Sequence, residues 1–313
     1  MKWIFSFLLV LLLFISASCG GGSLGHSGNG GGGNPSTPTA DHVFLVVLEN
    51  HSFSQVIGSA SMPYLNSLAS QNSLATNYFA NVHPSIGNYF MLTTGQIITI
   101  DDAFNGVVAD DNLARALSGA GKTWKAYMES IPSPGYIGSD VLPYVKHHNP
   151  FAFFTDVAGL DGQHPTAAAQ NIVPFTQLPA DMAANALPNF GFIAPDFNHD
   201  AHQCHDGSDN CPDSDRLVAA DMWLQTNIDP LIKSPAFANG VLIILFDEGD
   251  LSDLANVGGQ VPVVLVGSHV KMGFRSTTFY QHQSVLRLVL DLLDVSDRPG
   301  AAAAAASMSE FFQ

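Results

Sequence analysis

The chain has 313 residues, 46% of them hydrophobic, and it carries 27 acidic against 11 basic side chains for a formal net charge of −16. A surface this acidic repels nucleic-acid phosphates and anionic lipid headgroups, so the charge excludes both as standing partners. A phosphate-containing ligand needs a local positive charge, from a metal ion or from histidines, to override that field.

The first eighteen residues have the composition of a secretory signal peptide. Lys2 precedes an apolar run at 3–15 and small residues at 16–18, and this run is short for a membrane span. Cys19 stands where bacterial lipoproteins carry their lipid-modified cysteine, although Ser16 replaces the usual leucine. We therefore predict export to the periplasm or cell surface, with Cys19 as a candidate lipid anchor in the membrane. An uncleaved signal anchor is the alternative.

The remainder divides into a tether and one domain. Residues 19–40 are rich in Gly, Ser and Pro, a composition that cannot form a core and behaves as a flexible linker. Residues 41–313 are long enough for one large α/β domain. The predicted organisation is a signal peptide at 1–18, a tether at 19–40 and a folded domain at 41–313.

Apolar runs and helical patterns alternate along this domain. Short runs rich in β-branched residues predict buried strands at 41–48, 190–194, 240–246 and 261–266. Amphipathic patterns predict helices at 62–71, 112–120, 215–232 and 282–293. The alternation predicts an α/β fold whose central sheet is mostly parallel, with helices on both faces.

Polar pairs follow two of the predicted strands. Glu49-Asn50 come directly after the first, and Asp247-Glu248 come after the run at 240–246. Either pair alone is as well explained by a turn or a helix cap. In open α/β sheets, however, ligands bind beyond the carboxyl ends of the strands, so the two pairs together predict a site for one divalent cation. Oxygen donors favour Ca²⁺, Mg²⁺ or Mn²⁺, and histidine ligands would admit Zn²⁺.

A serine and several histidines are further candidates. Ser85 follows Pro84 at a sharp entry to a predicted helix, where backbone N–H groups can face an anion; taken alone, it is an N-cap candidate. Histidines near their own pKa can bind a phosphate dianion and donate a proton. Those that lie between the predicted strands are His147, His148, His199, His202 and His205.

Two cysteines lie close together in a loop rich in His, Asp and Gly. In an exported protein, Cys204 and Cys211 are expected to form a disulfide. Two thiolate ligands to a zinc ion are the alternative.

Six blocks of sequence, in order, resemble the phosphoesterase family, which holds bacterial phospholipases C and respiratory-burst-type acid phosphatases within the alkaline-phosphatase-like superfamily. The blocks are ENHSFSQVIG (49–58), HPSIGNYFMLTTG (83–95), KHHNPFAFF (146–154), LPNFGFIAPDFNHDAH (187–202), HDGSD (205–209) and LIILFDEGD (242–250). With a tail block at 267–293, the resemblance covers about 42–313. It implies an alkaline-phosphatase-like fold and a phosphoesterase catalytic domain over 41–313.

The resemblance also implies residue roles. The implied metal ligands are Glu49, Asn50, Ser85, Asp247 and Glu248. Ser85 falls at the position of the nucleophile, and Asn50 would also touch the phosphate.

The histidine roles that the resemblance implies are less sharply placed. His147 and His148 lie in the block that supplies a phosphate-contacting histidine, and we predict a catalytic role for His148 and substrate contact for His147. Asp200-Ala201-His202 fits the first half of an Asp-x-His-Asp element and His205-Asp206-Gly207 its second half. His202 is favoured as the catalytic histidine and His205 as a substrate contact. His282 is either a substrate contact or a packing group at a helix start.

Together these features predict an exported, metal-dependent phosphoester hydrolase that acts on a small phosphoester. An acid-phosphatase-like phosphomonoesterase is favoured because the chain ends soon after the catalytic domain. A phospholipase C-like phosphodiesterase acting on phospholipid headgroups is the alternative. A non-catalytic surface binding protein that has kept the fold is the third hypothesis, and the oligomeric state stays open.

Overall fold

The computed structural model describes residues 37–208 and 210–313. The predictions for the signal peptide at 1–18, for Cys19 and for most of the tether lie outside these residues. Within them, no helix is both long enough and apolar enough to cross a membrane.

A sheet of eight strands forms the centre of the described domain. Its order is β5 (Ile172–Pro174), β4 (Trp124–Met128), β6 (Phe190–Ala194), β1 (His42–Leu48), β7 (Gly240–Phe246), β8 (Val263–Gly267), β2 (Ser73–Ala75) and β9 (Arg275–Ser276). The five strands from β5 to β7 are parallel, whereas β8 runs antiparallel to both β7 and β2. A separate parallel pair joins β3 (Tyr78–Phe79) to β10 (Tyr280–Gln281).

Helices connect and cover the strands. They are α1 (Phe53–Val56), α2 (Pro63–Gln71), α3 (Ile86–Thr94), α4 (Leu113–Gly119), α5 (Thr155–Ala158), α6 (Gln177–Ala183), α7 (Asp213–Asn227), α8 (Asp229–Lys233) and α9 (His282–Leu292). Helix α3 packs against α9, and α2 packs against α7. The prediction of an α/β domain with a mostly parallel sheet is confirmed.

The register of the two central strands decides what lies at the carboxyl edge of the sheet. Strand β7 is buried along its whole length and β1 is buried from Val43 to Leu48, as expected for parallel strands covered on both faces. Leu48 lies opposite Phe246, and the Asp247 amide donates to the Leu48 carbonyl at 2.9 Å. The next residues of both strands therefore leave the sheet side by side.

Three details differ from the sequence-based expectation. Strand β8 is antiparallel, so its carboxyl end lies at the opposite edge of the sheet from those of β1 and β7. The helix predicted over 215–232 is two helices, because Pro230 lies in the first turn of α8 and has no amide hydrogen to continue α7. Strand β4 was missed because Lys125 interrupts its apolar run; that lysine pairs with Asp181 at 2.6 Å.

Candidate active site

The Ser85 hydroxyl points away from the helix that it precedes. Ser85 occupies the N-cap position of α3, yet its side chain makes no capping hydrogen bond. Asp102 Oδ1 accepts from the first helical amide, that of Ile86, at 3.1 Å instead. Ser85 Oγ donates to Glu49 Oε2 at 3.0 Å and lies 3.4 Å from the side-chain amide of Asn50. The capping explanation of Ser85 is therefore wrong, because another residue caps the helix.

Four buried carboxyl groups surround this hydroxyl: Glu49, Asp200, Asp247 and Glu248, each 1% exposed or less. Burial and the charge of Asp247 hold the pKa of Glu49 well above its usual range. Burial, with the charge of Glu248, does the same to the pKa of Asp247. Such a cluster is costly to ionise unless positive charge offsets it.

Two oxygens of this cluster, Asp200 Oδ2 and Asp247 Oδ2, have no hydrogen-bond donor among the described residues. Asp247 Oδ1 accepts from the amides of Asn50 (3.3 Å) and Glu248 (2.6 Å), but its buried Oδ2 has no hydrogen-bond donor. A buried carboxylate oxygen without a donor is what a hard divalent cation can satisfy. The donor set therefore fits a cation of this kind.

Asn50 ties the cluster to His202. The amide orientation that satisfies its surroundings places the nitrogen 3.1 Å from Glu49 Oε2 and 3.0 Å from Glu248 Oε1. Its oxygen then accepts from His202 Nε2 at 3.2 Å. The His202 ring stacks on Phe197 with 4.4 Å between the centroids. The structure thus brings His202 to the strand end that carries Glu49 and Asn50.

His148 lies between two of the carboxyl groups. Its Nε2 is 3.3 Å from Glu49 Oε1 and its Nδ1 is 3.3 Å from Asp200 Oδ2. Tyr89 stacks on its ring and donates to Glu49 Oε1 at 2.5 Å. Burial, with the neighbouring rings of His147 and His202, lowers the pKa of His148.

Comparisons with known proteins show the family of this chain. The family model described as "Phosphoesterase family" matches residues 59–296. The chain belongs to the phosphoesterase family. It is 31% identical to a phosphatidylinositol-3-phosphatase of Mycobacterium tuberculosis, over 80% of this chain and 75% of that protein. It is also 31% identical to an acid phosphatase of Aspergillus fumigatus and to a phosphate-repressible acid phosphatase of Penicillium chrysogenum, over 79% of this chain in each case.

This phosphoesterase covers only 53% and 57% of the lengths of those two fungal relatives. Among solved structures, an alkaline phosphatase superfamily protein from Vibrio parahaemolyticus superposes with a TM-score of 0.59 at 14% identity, over 85% of this chain and 69% of that one. The lipoteichoic acid synthase LtaP from Listeria monocytogenes gives 0.58 at 13%, over 83% and 74%. The predicted alkaline-phosphatase-like fold is confirmed, and the chain is a phosphoester-hydrolysing enzyme.

Two of the remaining predicted histidines, His147 and His205, occupy different places. His147 is half-buried with its ring 4.5 Å from that of His148, and it lines a cavity of about 210 Å³ together with Lys146. His205 is exposed and lies beside His199, with 5.3 Å between the ring centroids. The structure therefore places His147 next to the cluster and groups His205 with another histidine.

His282 supports the cluster from behind. It is fully buried; its Nδ1 lies 3.0 Å from the Tyr78 hydroxyl and its Nε2 lies 2.5 Å from the Asp247 carbonyl oxygen. Burial lowers the pKa of His282 to about 4. Because a neutral imidazole has only two ring nitrogens and both are engaged, the contacts contradict the predicted substrate contact. The packing role at a helix start is the one that fits.

Three residues of the site were not identified from the sequence as site groups. Asp200 contacts His148, Tyr89 holds Glu49, and His83 Nδ1 lies 3.2 Å from Glu248 Oε2. The hydrogen bond to Glu248 raises the pKa of His83. A signal for Tyr89 was present in the sequence, because it lies four residues after Ser85 and so faces the same side of α3.

The predicted disulfide is confirmed. The sulfurs of Cys204 and Cys211 are bonded at 2.17 Å, which rules out the two thiols as zinc ligands. The bond closes the loop that directly follows His202.

The raised pKa of Asp247 makes a prediction about the metal-free protein. A folded state that holds an acid proton more tightly than the unfolded chain loses stability as pH rises above the unfolded pKa, here about 4. In chelator, Asp247→Asn should therefore melt at a higher temperature than wild type at neutral pH, and this advantage should disappear toward pH 4. Thermal melts across pH measure the difference.

The exposed carboxylate of Asp297 offers a matched control, since Asp297→Asn should show no such pH-dependent gain. An Asp247→Asn protein that is less stable than wild type at neutral pH, in the absence of divalent cations, would contradict the assigned repulsion.

Proposed function

We propose that the protein is an exported, metal-dependent phosphomonoesterase of the acid-phosphatase type that uses Ser85 as its nucleophile. The observation that carries the proposal is the direction of the Ser85 hydroxyl, which leaves its own helix to contact Glu49 at 3.0 Å. A helix-capping serine would not point there. Export rests on the sequence of residues 1–18 alone.

The proposed metal ligands are Glu49, Asn50, Ser85, Asp247 and Glu248. Asn50 would bind through its amide oxygen, which in this structure accepts from His202 Nε2. The support for them is the buried Asp247 Oδ2, which lacks a donor, and the convergence of the other oxygens from two adjacent strand ends. A bound divalent cation supplies positive charge that offsets a phosphate dianion and favours ionisation of the serine hydroxyl. The oxygen donors favour Mg²⁺, Ca²⁺ or Mn²⁺ over Zn²⁺.

In the proposed reaction, Ser85 Oγ attacks phosphorus and its proton passes toward Glu49 Oε2. The bond between phosphorus and the ester oxygen breaks, and the departing alcohol takes a proton from His202. Water gives a proton to His202 and attacks the phosphoserine. Inorganic phosphate is released, and Ser85 Oγ takes back the proton from Glu49. Asn50 contacts the phosphate through its amide nitrogen, and His202 Nε2, which donates to the Asn50 oxygen in this structure, gives its proton to the ester oxygen in the reaction.

Two other histidines have supporting roles in this proposal. His148 is buried between Glu49 and Asp200, with one ring nitrogen 3.3 Å from each carboxyl group, and it positions Glu49 toward Ser85. His147, at the edge of the neighbouring cavity, contacts the phosphate or its ester group. His205 has no part in the reaction, because its ring lies with His199.

The choice of a monoester follows from the relatives. The three described above are named as phosphatases of acid or phosphoinositide type, and a phosphatase releases phosphate from a monoester. The proposed substrate class is a small phosphomonoester. A phospholipase C-like diesterase, acting on a lipid headgroup, remains the alternative outcome of the assay.

The direct test compares an aryl phosphate with an aryl phosphorylcholine diester, each with and without a chelator. We expect faster hydrolysis of the monoester, loss of both activities in chelator, and recovery when a divalent cation is returned. Chelation should also lower the melting temperature, because a ligand that binds only the folded state stabilises it. Full activity in the metal-free enzyme would end the metal proposal, and preferred hydrolysis of the diester would end the monoester proposal.

Substitution of Ser85 tests the nucleophile. Ser85→Ala should lower turnover by roughly 10³–10⁶, the range seen when a nucleophile is removed, while Ser85→Thr should keep partial activity. Ser276→Ala is the matched control, since Ser276 is also buried and also donates to a carboxylate, that of Glu310. Acid quench during turnover, followed by mass spectrometry of the peptide spanning 83–95, detects phosphoserine. Near-normal turnover of Ser85→Ala would refute the assignment.

The two loop histidines form a second matched pair. His202→Ala should cut turnover by roughly 10²–10⁴, the usual scale for loss of an acid–base group, whereas His205→Ala should stay near wild type. Steady-state hydrolysis of the aryl phosphate gives both values. An inactive His205→Ala enzyme beside an active His202→Ala enzyme would reverse the assignment.

A further inference from the structure

A second pair of adjacent strands also ends in carboxylates. Strands β4 and β6 are parallel neighbours, with Met128 opposite Ala194. Glu129 follows β4 directly, and Asp196 comes two residues after β6. Both therefore lie at the carboxyl edge of the sheet, where ligands of open α/β folds bind.

His199 completes a compact set of donors with these two residues. Its Nδ1 lies 3.1 Å from Glu129 Oε2 and 3.1 Å from Asp196 Oδ1. One ligand atom from each of the three residues falls within 4.8 Å of the others. Such a spread is compatible with the bond lengths of about 2.0–2.2 Å that Zn²⁺ makes with imidazole nitrogen and carboxylate oxygen.

Hydrogen bonds hold the two carboxylates in place. Asp196 is 5% exposed, and its Oδ2 accepts from the Ser130 hydroxyl at 2.6 Å. Glu129 Oε2 accepts from the Asp196 amide at 3.0 Å. Outer hydrogen bonds of this kind orient metal ligands and are a regular part of metal sites. An ordinary surface ion pair of His199 does not require two carboxylates fixed in this way.

The cluster opens onto a cavity that offers more donors. The cavity has a volume of about 470 Å³ and is lined by Glu129 and His199 together with His205 and Asp215. The exposed His205 ring lies 5.3 Å from the His199 ring. A metal ion could therefore reach the three fixed ligands from solvent and gain a fourth from the cavity wall.

We propose that Glu129, Asp196 and His199 form a second cation site, for a transition-metal ion of the Zn²⁺ class, distinct from the site at Ser85. The two sites differ in their donors, because the proposed catalytic site offers oxygens and this one adds an imidazole nitrogen. A cation here would fix the start of the segment that carries Asp200 and His202. The disulfide between Cys204 and Cys211 closes the loop on the other side of His202.

Without a metal ion, a proton on His199 Nδ1 lies between the carboxylates of Glu129 and Asp196. Hydrogen bonds to Asp196 and Glu129 raise the pKa of His199 to about 10, so the imidazole is charged at neutral pH. A metal ion that binds Nδ1 must displace this proton.

The test titrates the full-length enzyme with Co²⁺ in excess Mg²⁺ and measures bound metal by equilibrium dialysis and visible absorption. We expect wild type to bind one equivalent more than Glu129→Gln or His199→Asn, with an absorption band that is absent in both variants. His164→Asn is the control: His164 pairs with the single carboxylate of Asp161 at 2.7 Å on the surface, and its loss should change neither stoichiometry nor spectrum. Circular dichroism shows that each variant is folded.

Equal stoichiometry in wild type, Glu129→Gln and His199→Asn would overturn the proposal and leave His199 as an ion pair only. If both variants were to unfold, the same titration of Ser130→Ala, which removes the hydroxyl that holds Asp196 Oδ2, would decide: weaker Co²⁺ binding than wild type supports the site, and unchanged binding contradicts it. Asp247→Asn separates this result from the proposed function, since it should lose hydrolysis and keep the His199-dependent equivalent.

Discussion

The parallel pairing of β1 with β7 is the constraint on which the rest of the site depends. Because Leu48 and Phe246 are opposite one another, Glu49 and Asp247 leave the sheet side by side and stay buried. Burial raises the pKa values of both carboxyl groups, and the charge of Asp247 adds to the rise at Glu49 while that of Glu248 adds to the rise at Asp247. Ionising these groups without a cation therefore disfavours the folded state at neutral pH. The fold therefore maintains a repulsion that a cation relieves, and this is the physical basis of the proposed metal dependence.

Helix α3 positions the two side chains, Ser85 and Tyr89, that donate to Glu49. Asp102 caps its first amide, which leaves the Ser85 hydroxyl available to face Glu49. Tyr89, one turn further along, donates to the other oxygen of the same carboxylate. The helix ends at Gly95, whose φ of 68° is in the left-handed region that favours glycine. One short helix thus fixes both the serine and the orientation of Glu49.

The sequence predicted those parts of the site that follow from local patterns. Apolar runs that end in Glu49-Asn50 and Asp247-Glu248 indicated strand ends, and the parallel sheet then brought them together. Contacts between segments that are far apart in the sequence produce no local sequence pattern, so they could not be predicted. The position of His148 between Glu49 and Asp200 depends on a turn of helix at 146–148 packing under a loop some fifty residues later in the chain. The helical pattern at 282–293 located His282 but could not show that both ring nitrogens face the protein interior.

In the proposed mechanism the phosphoryl group is transferred first to Ser85 Oγ and then to water, and the stereochemistry at phosphorus tests these two transfers. An aryl phosphorothioate made chiral with two oxygen isotopes can be hydrolysed in water that carries the third isotope. Two successive in-line displacements, first by Ser85 and then by water, invert the configuration twice. The account predicts net retention of configuration in the released thiophosphate; net inversion would show a single attack by water and would contradict it.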